Sequence, residues 1–209
     1  VVHIIDYKNW SKRRIGIFNN EISKKSNLTG LFNLLNVPYI DFDPNDENLM
    51  SDWEKHKDHI FGLIMTGSSY DVGAPLYPAI PKDMLESGLP ILGICYGHQY
   101  LMKYLGADLI PCAPPTGDYG TVIASLSKNP LFAGLGSEKL LVEMRHHLMV
   151  DEETFPNDTC EVIASTKRTP VGGFYCEERN WWGLQFHPEK NYLYNIIFDN
   201  FIKLCYEKL

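Results

Sequence analysis

The stretch PILGICYGHQ at residues 90–99 constrains this chain more than any other. An apolar run with the character of a buried strand ends in Cys95, with Gly93 two residues before it and Gly97 two residues after it. A cysteine picked at random is more often a small apolar residue of a buried strand, with glycines serving a tight turn. The alternative is a nucleophile elbow, where the chain turns so abruptly from strand to helix that the reactive side chain projects above the sheet. Neighbouring side chains would collide in such a turn, so small residues two before and two after the nucleophile follow from geometry. The helix that follows would direct its positive end and unpaired N–H groups at the sulfur, which favours a thiolate. That reading requires a base elsewhere in the chain.

The first half of the sequence alternates in the way such a sheet needs. VVHIID (1–6), PYIDF (38–42), HIFGLIMTG (59–67) and PILGIC (90–95) read as strands, the last two with the near-continuous apolar character of strands covered on both faces. Stretches with helical spacing at 30–36, 49–57 and 77–87 separate them, which predicts parallel strands joined by right-handed crossovers. The second half changes character. YGTVIASL, KLLVEMRHH, CEVIAST, VGGFYCE and WWGLQF are β-like with little helix between them, so mixed or antiparallel pairing is expected there. Tyr194, Ile197, Phe198, Phe201, Ile202 and Cys205 form one apolar stripe on a closing helix that should dock on the sheet. CAPPTG at 112–117 reads as a loop.

Composition narrows the function classes. A chain of 209 residues, 44% hydrophobic, suits one well-filled domain, expected to span 1–209. The net charge of -7 argues against nucleic acid as a partner, and the small basic clusters Lys12, Arg13, Arg14 and Lys24, Lys25 read as solvated surface. Five cysteines, an odd number with no C-x-x-C pair, argue for a reducing compartment and against a disulfide framework or a zinc site. No signal peptide and no membrane-spanning apolar run is recognisable, so a cytoplasmic protein without membrane contact is expected. The chain opens on Val1 rather than methionine, and a few preceding residues are expected to be missing.

The base candidate comes late, in WWGLQFHPEK. His187 follows an apolar segment and precedes Pro188, which ends strand pairing, and Glu189. A cysteine nucleophile needs an imidazole to take or hold its proton, and that imidazole needs a carboxylate to fix its tautomer. The H-P-E spacing offers both on one turn. Taken alone, a histidine at a strand end is more often a structural residue, and a glutamate two residues on is usually solvated. His187 lies 92 residues after Cys95, so only the fold can bring them together.

GICYGHQ followed at this distance by GLQFHPE resembles the class I (triad) glutamine amidotransferases, whose order of Cys, His and Glu it matches. The resemblance covers most of the chain: an opening strand ending in Asp6, the MTGSS loop, the elbow, NPLFAG, MRHHLMV and the H-P-E element. It implies a flavodoxin-like α/β domain, a doubly wound and mostly parallel sheet with antiparallel strands added in the second half. It also implies hydrolysis of the glutamine side-chain amide to glutamate and ammonia without a cofactor, the ammonia usually passing to a synthase domain or subunit. TGSSYDVG and PILGICYGHQ look closest to the GMP synthase-like, free-standing members, some of which resemble plant γ-glutamyl peptidases. RHHLMV is also similar to a segment of the anthranilate synthase glutaminases.

On that resemblance Cys95 would attack the amide carbon, His187 would protonate the departing ammonia and then activate water, and Glu189 would orient His187. The tetrahedral intermediates carry an oxyanion and need backbone N–H donors already aimed at it. One donor should be that of Tyr96, the other that of Gly67 or Ser68. The family usually has two glycines and a proline in this loop, so TGSS departs from it at Ser68 and Ser69. Side chains there restrict the backbone, which predicts a loop already close to its working conformation. Gln99 matches a family position that contacts substrate glutamine, and is as readily a helix-surface residue. Of the adjacent His146 and His147, which on a strand would point to opposite faces, His147 is favoured as bordering the glutamine pocket. No metal is expected at the pair, because no carboxylate or cysteine stands beside it at ligand spacing.

Three functions stay open at this level. The first is a glutaminase supplying ammonia to a synthase such as a GMP synthase-type subunit. The second is a stand-alone γ-glutamyl peptidase or hydrolase, and the third a non-catalytic regulatory domain of the same fold, against which the complete Cys95, His187 and Glu189 set counts. Nothing is left over for a synthase domain after the closing helix, so an acceptor is expected in trans unless the sequence is a fragment of a longer protein.

Overall fold

The computed structural model describes residues 13–20, 27–75, 79–112 and 118–208. Strands β1 (Arg14–Phe18), β2 (Tyr39–Phe42), β3 (Ile60–Met65) and β4 (Ile91–Ile94) alternate with helices α1 (Asn27–Leu35), α2 (Leu49–His56) and α3 (Lys82–Leu85). Beyond β4 come α4 (Tyr96–Tyr104), β5 (Leu109–Pro111), β6 (Tyr119–Leu126), β7 (Lys139–Arg145), β8 (Leu148–Val150), β9 (Cys160–Ser165), β10 (Gly173–Cys176), β11 (Trp181–Leu184) and α5 (Asn195–Tyr206). One sheet runs β2-β1-β3-β4-β11-β10-β9-β6-β7, and β5 with β8 forms a separate antiparallel pair. From β2 to β11 the strands are parallel, which is the flavodoxin-like order with β11 in the fifth place. From β11 to β7 every pair is antiparallel.

Period-two alternation explains why the parallel strands read as continuous apolar runs. Ile15, Ile17, Ile64, Leu92, Ile94, Trp182 and Leu184 bury one face with Phe32 of α1 and Ile197, Phe198, Phe201 and Ile202 of α5. Phe18, Leu63, Met65, Ile91 and Trp181 bury the other with Trp53 of α2, Met84 of α3 and Leu101 and Met102 of α4. The apolar stripe of α5 is docked as its spacing predicts, with Ile197, Phe198, Phe201, Ile202 and Cys205 wholly buried.

Several boundaries differ from the sequence expectation. The strand expected at 1–6, with Asp6, lies outside the described residues. RIGIF supplies β1, and Arg14, expected on solvated surface, is its half-buried first residue. Gly16 obscures the apolar pattern there; a Cβ at that position would stand 2.6 Å from Leu63 Cδ2, so the leucine side chain would have to shift. Of the helix expected over 77–87, residues 77 and 78 lie outside the described residues, and the described part holds the single turn α3, which opens directly after Pro81. KLLVEMRHH is not one strand: β7 stops at Arg145 and β8 begins at Leu148, with the two histidines in the break. The β5–β8 pair went unread because each strand has three residues, too few to show periodicity.

The antiparallel extension bends back on the parallel half. The His187 N–H donates to the Glu143 carbonyl oxygen at 3.1 Å, and Tyr194 Oη donates to the Leu141 carbonyl oxygen at 2.7 Å. In this way β7, the last strand of the sheet, returns to the carboxyl edge of β4 and β11, where α/β sheets place their sites.

Candidate active site

Cys95 follows β4 directly and adopts φ +50° and ψ -97°. The other non-glycine residues with positive φ among those described are Asn36 and Asn180, a type that tolerates it. Cys95 has no such tolerance, so its backbone stores about 1–3 kcal/mol of strain. The flanking glycines permit the turn by close approach. A Cβ on Gly93 would stand 2.5 Å from the Gly97 carbonyl carbon, and one on Gly97 would stand 2.5 Å from the Met65 carbonyl oxygen. The helix α4 begins at Tyr96, so its N-terminus lies beside the sulfur. Gln185 Nε2 donates to Cys95 Sγ at 3.6 Å, and the Arg145 carbonyl oxygen lies 3.7 Å from the same sulfur.

The strands β4 and β11 pair in register, Ile94 opposite Leu184, and the Cys95 N–H donates to the Leu184 carbonyl oxygen at 2.8 Å. That pairing brings His187 to the elbow across 92 residues of sequence. His187 Nδ1 lies 2.7 Å from Glu189 Oε1, both side chains being about nine-tenths buried. The imidazole is also hydrogen-bonded to Cys95. Gly67 closes the group, since a Cβ there would stand 2.8 Å from His187 Cε1 and 3.5 Å from Cys95 Cβ. Cys95, His187, Glu189 and Gly67 are therefore gathered at one point.

Burial alone would lower the His187 pKa. The charge of a Cys95 thiolate, the hydrogen bond to that sulfur and the hydrogen bond and charge of Glu189 outweigh burial and raise the pKa to about 10. The proton is held through neutrality, and the stability it contributes is full below the ordinary value of about 6.5 and lost as pH rises through about 10. The alkaline limb of a kcat/KM profile is therefore expected near 10, and Glu189→Gln should move it down. A wild-type limb near 6.5 would show that the pair does not form in solution.

A cleft of about 180 Å³ opens above the elbow, between Ser68, Ser69, Tyr70 and Asp71 on one wall, Tyr96 and Gln99 on the floor and Arg145, His146 and His147 on the other wall. It is small beside the roughly 300–1,000 Å³ of pockets for drug-sized ligands. Gln99 is no surface residue: it is buried, and its Nε2 donates to the Leu148 carbonyl oxygen at 2.6 Å and to Gln185 Oε1 at 3.0 Å. Both histidines border the cleft, one buried and one exposed. His147 faces Asp71 across its mouth at 3.7 Å. His146 is buried, which pushes its pKa down, and its Nδ1 lies 2.9 Å from the Leu148 carbonyl oxygen and 3.0 Å from Cys112 Sγ. Among the described residues no cluster of His, Cys, Asp and Glu is gathered to hold a metal, and no helix is long and apolar enough to cross a membrane.

The sequence reading passed over Gln185, Arg145 and Asp71. Gln185 alone had a local signal, its place two residues before His187, directly after the strand beside the elbow. Hollows of about 490 and 620 Å³ lie elsewhere, around Trp53 and Asp58 and along 126–138, without a nucleophile and base pair.

The chain is 37% identical over 135 residues to the glutamine-hydrolysing GMP synthase of Stenotrophomonas maltophilia, covering 61% of this chain and 25% of that protein. It is 36% identical over 149 residues to that of Caldicellulosiruptor saccharolyticus, covering 65% of this chain and 28% of the relative. It thus spans about a quarter of the length of these curated relatives. A crystal structure from Thermoplasma acidophilum, of a protein assigned as a GMP synthase subunit, superposes with a TM-score of 0.73 at 23% identity, covering 94% of this chain and 96% of the other, which shows the shared fold. The profile of class-I glutamine amidotransferases matches residues 17–204, a span that holds the elbow, the loop after β3 and the H-P-E turn. With that match across nearly all of the described fold, the chain belongs to the class-I glutamine amidotransferase family.

Proposed function

We propose that this chain is a glutaminase that converts glutamine to glutamate and ammonia through a thioester on Cys95 and supplies the ammonia in trans to a synthase of GMP synthase type. The observation that carries this reading is the convergence of the strained Cys95 elbow with the buried His187–Glu189 pair. The Cys95 thiolate adds to the γ-carboxamide carbon, and the electron pair of the C=O bond moves to oxygen. The oxyanion is met by the N–H of Tyr96 and that of Gly67 or Ser68. Collapse breaks the C–N bond while the His187 imidazolium gives its proton to the departing nitrogen, leaving neutral imidazole and a γ-glutamyl thioester. Water then adds to the thioester, losing a proton to His187, and expulsion of the thiolate releases glutamate. Glu189 holds the ring through Nδ1, and Gln99 and His147 line the pocket for the rest of the substrate.

The name of the curated relatives pairs glutamine hydrolysis with GMP synthesis, which supports the synthase partner. Five unpaired cysteines fit a reducing, cytoplasmic setting. A second reading, hydrolysis of γ-glutamyl compounds, is favoured by one observation: a separate hollow of about 390 Å³ is lined by Val72, Gly73, Tyr100 and Leu148, of which Val72, Tyr100 and Leu148 are the chain neighbours of Asp71, Gln99 and His147 in the cleft. Ammonia release from glutamine by the purified chain, measured against cleavage of a γ-glutamyl dipeptide, separates the two. Glutamine turnover without an added synthase is expected. Preferential cleavage of the dipeptide would move the assignment to the second reading. Activity only after a synthase is added would show a loop that waits for its partner, and no turnover of either substrate under any of these conditions would leave a non-catalytic domain.

A further inference from the structure

Gly67 sets a problem for this site. It lacks a Cβ, which would crowd His187, yet that makes the backbone flexible where an oxyanion donor has to be held still. The missing stiffness comes from the end of β1. The β1–β3 ladder extends to the Thr66 N–H, which donates to the Phe18 carbonyl oxygen at 3.1 Å. Beyond it, side chains continue the pairing. Asn20 is wholly buried; its N–H donates to Thr66 Oγ1 at 2.9 Å and its Nδ2 donates to the Thr66 carbonyl oxygen at 2.8 Å. The Thr66 hydroxyl donates in turn to the Gly67 carbonyl oxygen at 3.0 Å. Ser68 Oγ donates to the Asn20 carbonyl oxygen at 3.0 Å and accepts from the Tyr70 N–H at 3.1 Å.

We propose that Asn20, acting through Thr66, locks the Gly67–Ser68 peptide in the orientation that serves the oxyanion, which makes Asn20 a positioning residue for the thioester chemistry. The inference rests on the glutaminase reading and adds to it the device that keeps the loop competent. A trans peptide carries its N–H opposite its C=O. With the Gly67 oxygen held by Thr66, the Ser68 N–H is fixed pointing the opposite way within that plane, and Ser68 borders the cleft beside Cys95. A flip of this peptide would break the Thr66 bond and present an oxygen where the N–H had been, replacing a donor by an acceptor beside a developing negative charge. The chain thus holds its loop with its own residues.

The test uses Asn20→Ala and, as a second variant of similar side-chain volume, Thr66→Val, both in the full chain. Amide hydrogen exchange reads the lock without reference to activity. Exchange across 66–70 should quicken in both variants while 95–99 stays as in the wild type, and unchanged exchange at 66–70 overturns the lock. Two reactions of Cys95 then read its consequence. Alkylation by iodoacetamide forms no oxyanion and should be unaffected, whereas acylation by a γ-glutamyl p-nitroanilide should slow about 10²-fold, the usual loss for one oxyanion donor. Acylation at the wild-type rate would overturn the positioning role. Alkylation that fell together with acylation would overturn it as well, because Asn20 would then support the site as a whole. A wild-type chain that alkylates but never acylates would count against the glutaminase reading instead, and exchange at 66–70 alone would decide the lock.

Discussion

A glutamine-like electrophile is expected to label Cys95 alone among the five cysteines, and Cys95→Ser to lower glutamine turnover by about 10⁴-fold or more with the fold retained. Labelling follows thiolate fraction and access. Cys112 is held back by burial, which with the nearby Asp118 charge pushes its thiol up to about 12, and burial together with neighbouring Cys176 pushes Cys160 up to about 12. Burial raises the Cys205 thiol well above its ordinary value. Cys176 is buried in the sheet. Cys95 alone borders the cleft and faces a protonated imidazole. Serine fills the same space and inherits the same strained turn, so the fold should survive while the nucleophile is lost. Mass spectrometry of labelled peptides reads the selectivity, and labelling spread over several cysteines would sink the elbow assignment.

The second large effect concerns the H-P-E turn. His187→Ala should cost about 10⁴–10⁶-fold in kcat, and Glu189→Ala should cost distinctly less, because a poorly oriented imidazole still moves protons and a missing one does not. Glu189→Ala also leaves His187 Nδ1 without its partner at 2.7 Å, so its residual activity should fall off at lower pH than in the wild type. Steady-state ammonia release for the two variants, corrected for folded fraction by circular dichroism, gives the ratio. A larger loss for Glu189→Ala would reverse the division of roles.

Those expectations rest on residues of different legibility. Gly93, Cys95 and Gly97 could be read as an elbow from spacing alone, because the constraint is steric and acts within five residues: Gly97 has no room for a Cβ against Met65, and Gly93 none against Gly97. The runs of β3 and β4 were legible because strands covered on both faces have few polar positions. The strand β1 was not, since Gly16 and Arg14 interrupt the only pattern it has. The adjacent histidines divide into one buried and one exposed, as alternation predicts, but they do so in a break between β7 and β8.

What the sequence by itself determined is local: a strand turning sharply into a helix at Cys95, an imidazole and a carboxylate two residues apart on one turn, and an alternation of strands and helices that implies a parallel sheet. Periodicity and sterics act over a few residues and leave their trace in the residues concerned. Only the tertiary structure decided that β11 pairs with β4 in the register that sets His187 against Cys95, that β7 returns to the same edge with Arg145, and that Asn20 reaches across to Thr66. These contacts join segments from 46 to 92 residues apart. Their geometry is set by the hydrogen-bond register and twist of the whole sheet, to which no short stretch of sequence bears witness.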